Sequence, residues 1–471
     1  MPRDTRRVAL FICEKYYLRF FRPVAANLAA AGFRPIWVAI DGPDEWPHEW
    51  LEAHGAVERL AALASTVDDA AGDDGPALCR FEDAVFADPE LFRANYSYTV
   101  NVVRSLERAR PFALAWSRAT AALLARFKPA AVFVWNGRYL PYSAVSHACE
   151  QAGQLLLTGE IGWVPGTIFL DRGPLSGSVA DLHGRGVDRG PAVELGRADK
   201  FLKDYVDAKA TMVSQRLVPA AAVRREMLGP DGRFLLAYGC QVDWDTNIVI
   251  GARRFRSNAA AVSFLMEAIR DLPGVRLVVK THPLDSTADI EQLRSLVAAR
   301  GQVVTDLHPH ALIEAADCVA IRNSTLGFET LCYEKPLLLL EPAKYRDPDL
   351  TLDARDQADI ASQLSALANG TLRRPDPIML RRMIVHLLDH YLVPVTYEYF
   401  FKSEQLKLLS HFDQNDSLHQ LRDVLQAAAP ATPGVRPEAT EAIASCVVHR
   451  PAVRSRLVTK LARKVASWTE R

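Results

Sequence analysis

No glycine-rich phosphate loop follows the first strand-like run of either half of this chain: Gly-x-Gly-x-x-Gly and Walker sequences are both missing there. That argues against a nicotinamide-dependent dehydrogenase and against a P-loop nucleotidase. Charge of one sign is not in excess either, with Lys+Arg and Asp+Glu both numbering 56. Binding of nucleic acid by the whole body is therefore not expected, and any electrostatic function must be local. Long apolar runs are also lacking. The run after Arg3, Arg6 and Arg7 extends only from Val8 to Cys13, too short for a signal-peptide core, and no later segment can span a bilayer. Cysteine is sparse: the seven residues 13, 79, 149, 240, 318, 332 and 446 form no Cys-x-x-Cys pair, and several lie in apolar runs. They read as reduced structural thiols of a cytoplasmic protein, with no zinc site.

What is present is a folded composition, 49% hydrophobic and 24% charged, in 471 residues, enough for two or three domains. Strand-like runs alternate with helical patterns in two series. The first comprises Val8 to Ile12, Pro35 to Ile40, Ala130 to Trp135 and Gln154 to Leu157, with helices expected from Phe21 to Ala31 and Ser143 to Gly153. A mostly helical zone covers Ala192 to Met227, and Leu228-Gly229-Pro230-Asp231-Gly232 breaks the chain. The second series comprises Phe234 to Tyr238, Arg276 to Lys280, Gln302 to Val304, Cys318 to Ile321 and Pro336 to Leu340. Two consecutive β-α-β series predict two doubly wound parallel sheets with ligands at the carboxyl ends of the strands. The expected fold class is α/β and GT-B-like, two Rossmann-type domains facing a central cleft. The expected boundaries are 1–228 for an acceptor-side domain with its helical segment 192–228, 229–400 for a nucleotide-sugar domain, and 401–471 for a helical C-terminal extension.

Four clusters of reactive residues fall at strand ends. Asn323-Ser324-Thr325-Leu326-Gly327-Phe328-Glu329 follows one strand and opens a helix; amide N–H groups there can seat a phosphate, or the residues can simply cap the helix. Gln241-Val242-Asp243-Trp244-Asp245-Thr246-Asn247 follows another, where Asp245 is either a functional carboxylate or the cap of the next helix. Lys280-Thr281-His282-Pro283 ends a third. Roughly 40 residues separate successive clusters, about one β-α-β step, so all three can meet in one crevice. The fourth, Glu160-Ile161-Gly162-Trp163-Val164-Pro165-Gly166-Thr167 followed by Asp171-Arg172-Gly173, reads as an irregular loop of the first half. Glu160 can act there as an acid/base opposite Asp245, or be an ordinary solvated side chain. Arg138, after the strand ending at Trp135, is a candidate for an anionic substrate.

At these four places the chain resembles the capsule polysaccharide retaining β-Kdo glycosyltransferases of bacterial capsule and O-antigen assembly. Gln241, Asp245, Thr246 and Asn247 match the family's Gln-x-x-x-Asp-Ser/Thr-Asn/Gln; Lys280, His282 and Pro283 match Lys-x-His-Pro; Asn323, Ser324, Thr325, Gly327 and Glu329 match Asn-Ser-Thr-x-Gly-x-Glu. Glu160, Gly162, Pro165, Thr167, Asp171 and Gly173 keep the spacing of its first-domain loop. The family usually has Arg where this chain has Val164, and Glu where it has Asp171. The likeness extends faintly from Val8 to Tyr399.

The resemblance implies transfer of Kdo from CMP-β-Kdo with retention, independent of metal and of any other cofactor. Asp245 would be the nucleophile, with Asp243 as the alternative, and Glu160 the base. His282, Lys280 and the amides of Ser324 to Gly327 would meet the CMP phosphate, and Asn323 and Glu329 the nucleoside. The implied partners are a nucleotide-sugar donor and a glycan or lipid-linked acceptor. Three other readings stay open: a GT-B transferase using a UDP- or GDP-sugar, a UDP-sugar epimerase, and a non-catalytic capsule assembly or export partner. In the tail, Leu457, Val458, Leu461, Val465 and Trp468 fall at helical spacing among Arg454, Arg456, Lys460, Arg463 and Lys464. A basic amphipathic helix at 454–471 can lie on an anionic membrane surface or pack on the protein, and contact with the inner face of the cytoplasmic membrane would suit a lipid-linked acceptor.

Overall fold

The computed structural model describes residues 6–40, 58–59, 106–173, 195–209, 215–230, 232–243, 245–395 and 407–412. The expected amphipathic helix at 454–471 lies outside them, as does most of the extension 401–471. The first sheet contains β1 (Arg7–Cys13), β2 (Phe33–Ala39), β3 (Glu58–Arg59), β4 (Ala131–Trp135), β5 (Leu156–Ile161), β6 (Thr167–Arg172) and β13 (Val393–Pro394), in the spatial order β3-β2-β1-β4-β5-β6-β13. The second contains β7 (Phe234–Gly239), β8 (Val275–Lys280), β9 (Gly301–Val304), β10 (Cys318–Ile321), β11 (Leu337–Leu339) and β12 (Leu352–Asp353), in the order β9-β8-β7-β10-β11-β12. Each sheet begins at its middle strand and winds outwards in both directions, the Rossmann order, which makes the fold GT-B-like. In the first sheet β6 runs antiparallel to β5, and β13 pairs antiparallel with β6, a departure from a purely parallel expectation.

Helices on both faces explain why the central strands are unbroken apolar runs. Every residue of Ala131–Trp135 and of Phe234–Gly239 is buried. Phe11 sits at the middle of the first core, stacked on Phe133 at 4.5 Å and on Trp37 at 4.6 Å. The helices Leu195–Ala208 and Ala220–Leu228, placed by chain order with the first half, bury Phe201, Tyr205 and Val223 in one cluster with Leu235, Val278 and Phe328 of the second domain. Their apolar faces, rather than the Gly229-Pro230 break, decide where they pack.

Two features lock the domains face to face. The tip of the β5–β6 hairpin carries Trp163 and Val164 into the second domain's core, where Trp163 stacks on Phe328 at 5.4 Å. Behind the tip, Asp171, 2% exposed, makes an ion pair with Lys344 and accepts a hydrogen bond from Tyr391 Oη at 3.1 Å. The chain then returns to the first sheet at Val393, paired with Ile168.

Candidate active site

β7, β8 and β10 are adjacent, so the three motifs of the second half emerge at the carboxyl ends of neighbouring parallel strands. Those after β7 and β10 flank the point where strand order reverses, the usual ligand crevice of such sheets. In the first sheet the same end is formed by Asn136–Tyr139 after β4 and by Glu160 near the end of β5.

Glu160 is a strand residue, not part of an irregular loop. It pairs with Phe169 across the hairpin, and only 162–166 form the turn. The turn requires glycine at 162, because a Cβ there would lie 2.1 Å from Thr167 Oγ1, and at 166, where φ is +81°. Glu160 Oε1 accepts from the Ile161 amide at 3.0 Å and Oε2 from Asn136 Nδ2 at 3.0 Å. Burial pushes its carboxyl up to about 7; Asp245 adds to the rise, while the two hydrogen bonds and Lys344 oppose it. A carboxylate with that affinity suits a general base near neutral pH.

Asp245 caps the four-residue helix Thr246–Val249, its Oδ1 accepting from the Asn247 amide at 2.7 Å. The capping geometry is therefore real. Burial raises the Asp245 carboxyl, and the Asn247 contacts, Arg322 and Arg138 counter it. Arg138 thus lies within electrostatic reach of Asp245 from the first domain. Asn136 closes the cleft: the same Nδ2 that holds Glu160 also reaches Thr246 Oγ1 at 3.2 Å.

Asp243 is committed elsewhere. It accepts from Arg322 Nη2 at 2.6 Å and from the Asn258 amide at 3.2 Å. Arg322, 0% exposed, also donates to Gln241 O at 2.7 Å and to Asn258 Oδ1 at 2.9 Å. Asp243 neutralises a buried guanidinium. Gln241 uses its backbone carbonyl for this network, while its side-chain Oε1 is buried without a partner.

His282 Nδ1 accepts from the Leu284 amide at 3.2 Å, which places the proton of the neutral ring on Nε2. Burial, helped by Lys280, pushes the imidazole down to about 4, so at neutral pH it is an uncharged donor. Lys280 is 5% exposed; its Nζ donates to Thr281 O at 2.9 Å and, at 3.1 Å, to the Gln215 side chain. It supplies field to the site, with two of its three N–H bonds engaged by the fold. Asp285, pushed up to about 7 by burial, accepts from the His282 amide at 2.7 Å and fixes that turn.

After β10, the helix Leu326–Cys332 has seven residues, and part of its expected amide seat is already used. The Leu326 amide bonds Ser324 Oγ at 3.3 Å and that of Gly327 bonds Ser324 O at 3.0 Å. The amides of Ser324 and Thr325 have no protein partner among the described residues. Gly327 has no room for a side chain: a Cβ would lie 2.3 Å from Tyr345 Oη and 2.6 Å from Ile321. Glu329 Oε2 lies 3.3 Å from His310 Nε2, a buried ring whose Nδ1 meets Tyr333 Oη at 2.9 Å. Asn323 Oδ1, like Gln241 Oε1 and Asn136 Oδ1, is buried without a partner. Such orphan acceptors in a cleft call for a donor from a ligand or water.

Sequence reasoning did not single out Asn136, Lys344 or the Tyr17–Tyr139 hydroxyl pair, 2.9 Å apart near Glu160. A signal was available for the first: Asn136-Gly137 directly after a buried strand marks a backbone that turns left-handed at a ligand edge.

Residues 200–377 match the model of a family described as capsule polysaccharide biosynthesis protein. No curated protein matches the chain. Among solved structures it is similar to two of KpsC from Thermosulfurimonas dismutans. With the β-Kdo 2,4 transferase it shares 16% identity over 54% of this chain and 79% of that one, TM-score 0.39. With the β-Kdo 2,7 transferase it shares 16% over 65% and 89%, TM-score 0.41. The UDP-GlcNAc 2-epimerase of Neisseria meningitidis is similar at 11% identity over 87% and 100%, TM-score 0.32. The matched interval contains all three strand-end motifs of the second domain: over residues 200–377 this chain carries the sequence pattern of the capsule polysaccharide biosynthesis family.

Proposed function

We propose that the protein is a glycosyltransferase that moves Kdo from CMP-β-Kdo to a glycan or lipid-linked acceptor with retention of configuration. The observation that carries this reading is the pairing of Glu160 and Asp245 across the cleft, joined through Asn136 and Thr246. Two opposed carboxylates in electrostatic contact, one tuned to about 7, suit a two-step displacement.

In the first step an oxygen of Asp245 bonds to the anomeric carbon while the bond from that carbon to the CMP phosphate oxygen breaks, its electron pair leaving with CMP. Neutral His282, through Nε2–H, and the amides of Ser324 and Thr325 would meet the phosphate, with Lys280 adding field. Gln241, Asn247, Asn323 and Glu329 would hold the nucleotide and sugar, and Arg138 the sugar's carboxylate. In the second step the acceptor oxygen attacks the same carbon, the ester to Asp245 breaks, and the acceptor's proton passes to Glu160. Two inversions give net retention. The scheme uses no metal and no cofactor. In a donor complex the attacking Asp245 oxygen should lie about 3–3.5 Å from the anomeric carbon. A cytoplasmic enzyme peripheral to the inner membrane face, feeding capsule or O-antigen assembly, fits this chemistry.

The test is intact-protein mass spectrometry of Glu160→Gln with CMP-Kdo generated in situ. The expected result is a gain of one Kdo that disappears in Glu160→Gln/Asp245→Asn. If there is no adduct, and the wild type releases no CMP, the donor assignment is overturned.

A further inference from the structure

We infer that Asn136 is the positioning residue for Glu160, holding that carboxylate as a base from the first domain while it grips Thr246, next to Asp245, in the second. The inference rests on the transferase reading for its chemistry, and on three independent features for its geometry. The backbone of Asn136 is left-handed, with φ of +57°, followed by Gly137 at +77°. Outside glycine this conformation is costly, and asparagine is among the residues that tolerate it best. Its amide N–H donates to Gly159 O at 2.9 Å, so the residue is anchored to β5 one position before Glu160. The side chain, 5% exposed for the residue as a whole, spans both domains through Nδ2 and leaves Oδ1 buried and unpartnered.

An amide donor pointed at a carboxylate favours its charged form without titrating itself. Glu160 also faces Asp245, which favours its protonated form, Lys344, which favours its charged form, and Tyr17 on the first domain. Among these groups Asn136 both fixes the direction of Oε2 and keeps the base available. The orphan oxygen has a use in the second step. Once the acceptor's proton has moved to Glu160, half a turn of the Asn136 amide brings Oδ1 to the new carboxyl O–H and to the Thr246 hydroxyl. Both neighbours can then donate, so the pocket keeps its hydrogen bonds before and after proton transfer.

The test begins without donor. The Glu160 carboxyl of the full chain is titrated by NMR of protein labelled at the glutamate side-chain carbon, with Glu160→Gln assigning the signal. Asn136→Gly removes the amide and tolerates the left-handed backbone; Asn136→Asp keeps the shape but adds a charge. The titration midpoint is expected to rise in Asn136→Gly and to rise further in Asn136→Asp. The Kdo adduct formed with CMP-Kdo is then followed as water discharges it. Its decay at pH 7 should fall by about 10²-fold in Asn136→Gly, the scale of a misplaced general base. The fall in adduct formation should be much smaller, and the pH limb should move with the NMR midpoint. Thr246→Val, which removes the second grip, should slow decay without moving that midpoint upwards. An unmoved Glu160 midpoint in both Asn136 variants overturns the proposal, whatever the donor proves to be. Absence of any adduct or CMP release in the wild type, with the NMR midpoint moved as expected, overturns the donor reading and leaves the positioning role standing.

Discussion

Replacing Lys344 by methionine strikes the joint that sets the cleft. Asp171 is 2% exposed, and the side chain of Lys344 is 11% exposed. Removing the ammonium takes the countercharge from a buried carboxylate that still accepts a hydrogen bond from the Tyr391 hydroxyl at 3.1 Å. Breaking one side of a buried ion pair costs about 3–5 kcal/mol. For a unit of domain size, each kcal/mol moves the thermal midpoint by about 2–4 °C, so a fall of roughly 6–20 °C is expected. Replacing both partners, Asp171→Asn with Lys344→Met, removes the unpaired charge and should recover most of the loss, because desolvation of the pair offsets much of its attraction. Scanning calorimetry of the two single variants and the double variant measures the coupling directly. The reasoning is refuted if Lys344→Met alone lowers the midpoint by less than about 2 °C, below the shift of a single kcal/mol. It also fails if the double variant costs the sum of the singles. Because Lys344 favours the charged form of Glu160, its loss should also shift the activity limb to higher pH.

Glu160 ties stability to pH with a definite sign. Its carboxyl rises from an ordinary 4.5 to about 7 on folding, so its favourable contribution is complete below 4.5 and is lost as pH rises through 7. Glu160→Gln should therefore be more stable than wild type at pH 8, on the order of 3 kcal/mol at 1.36 kcal/mol per unit, with the gap closing towards pH 4.5. Urea melts at the two pH values check this, and a gap that does not change with pH contradicts it. Asp243→Asn should destabilise by about 3 kcal/mol or more, since Arg322 is left buried beside a neutral group. The folded fraction in a Glu160→Gln background should still form the adduct, and an adduct lost there, with fold intact by circular dichroism, would return the nucleophile's part to Asp243. Gly327→Ala should cost about 1–3 kcal/mol as an overpacked site. Its crystal structure should show Tyr345, whose hydroxyl donates to Ser324 O, displaced from that carbonyl; an unmoved Tyr345 contradicts the contact.

Much of the second-domain site is visible in one dimension because its chemistry is local. Lys280, His282, Asn323 and Gly327 sit within a few residues of the ends of apolar strands, and strand length plus β-α-β rhythm place those ends together. Asp243 and Asp245 show where that logic stops. Both lie in the same heptapeptide, yet one pairs with Arg322, 79 residues away in the chain, and the other faces the first domain. Glu160 was legible as a candidate but not as a strand residue, since Gly162 and Pro165 suggest a loop until Phe169 and Ile168 pair back across it.

By itself the sequence determined the two winding series, the buried parallel strands, and the three motifs at adjacent strand ends, because apolar periodicity and turn residues are properties of short segments. Only the tertiary structure decided which aspartate pairs with Arg322, why Glu160 holds its proton to about 7, and that Asn136 spans both domains. Burial, and the charges that face a group from another domain, arise from contacts between distant segments, and no local pattern encodes them.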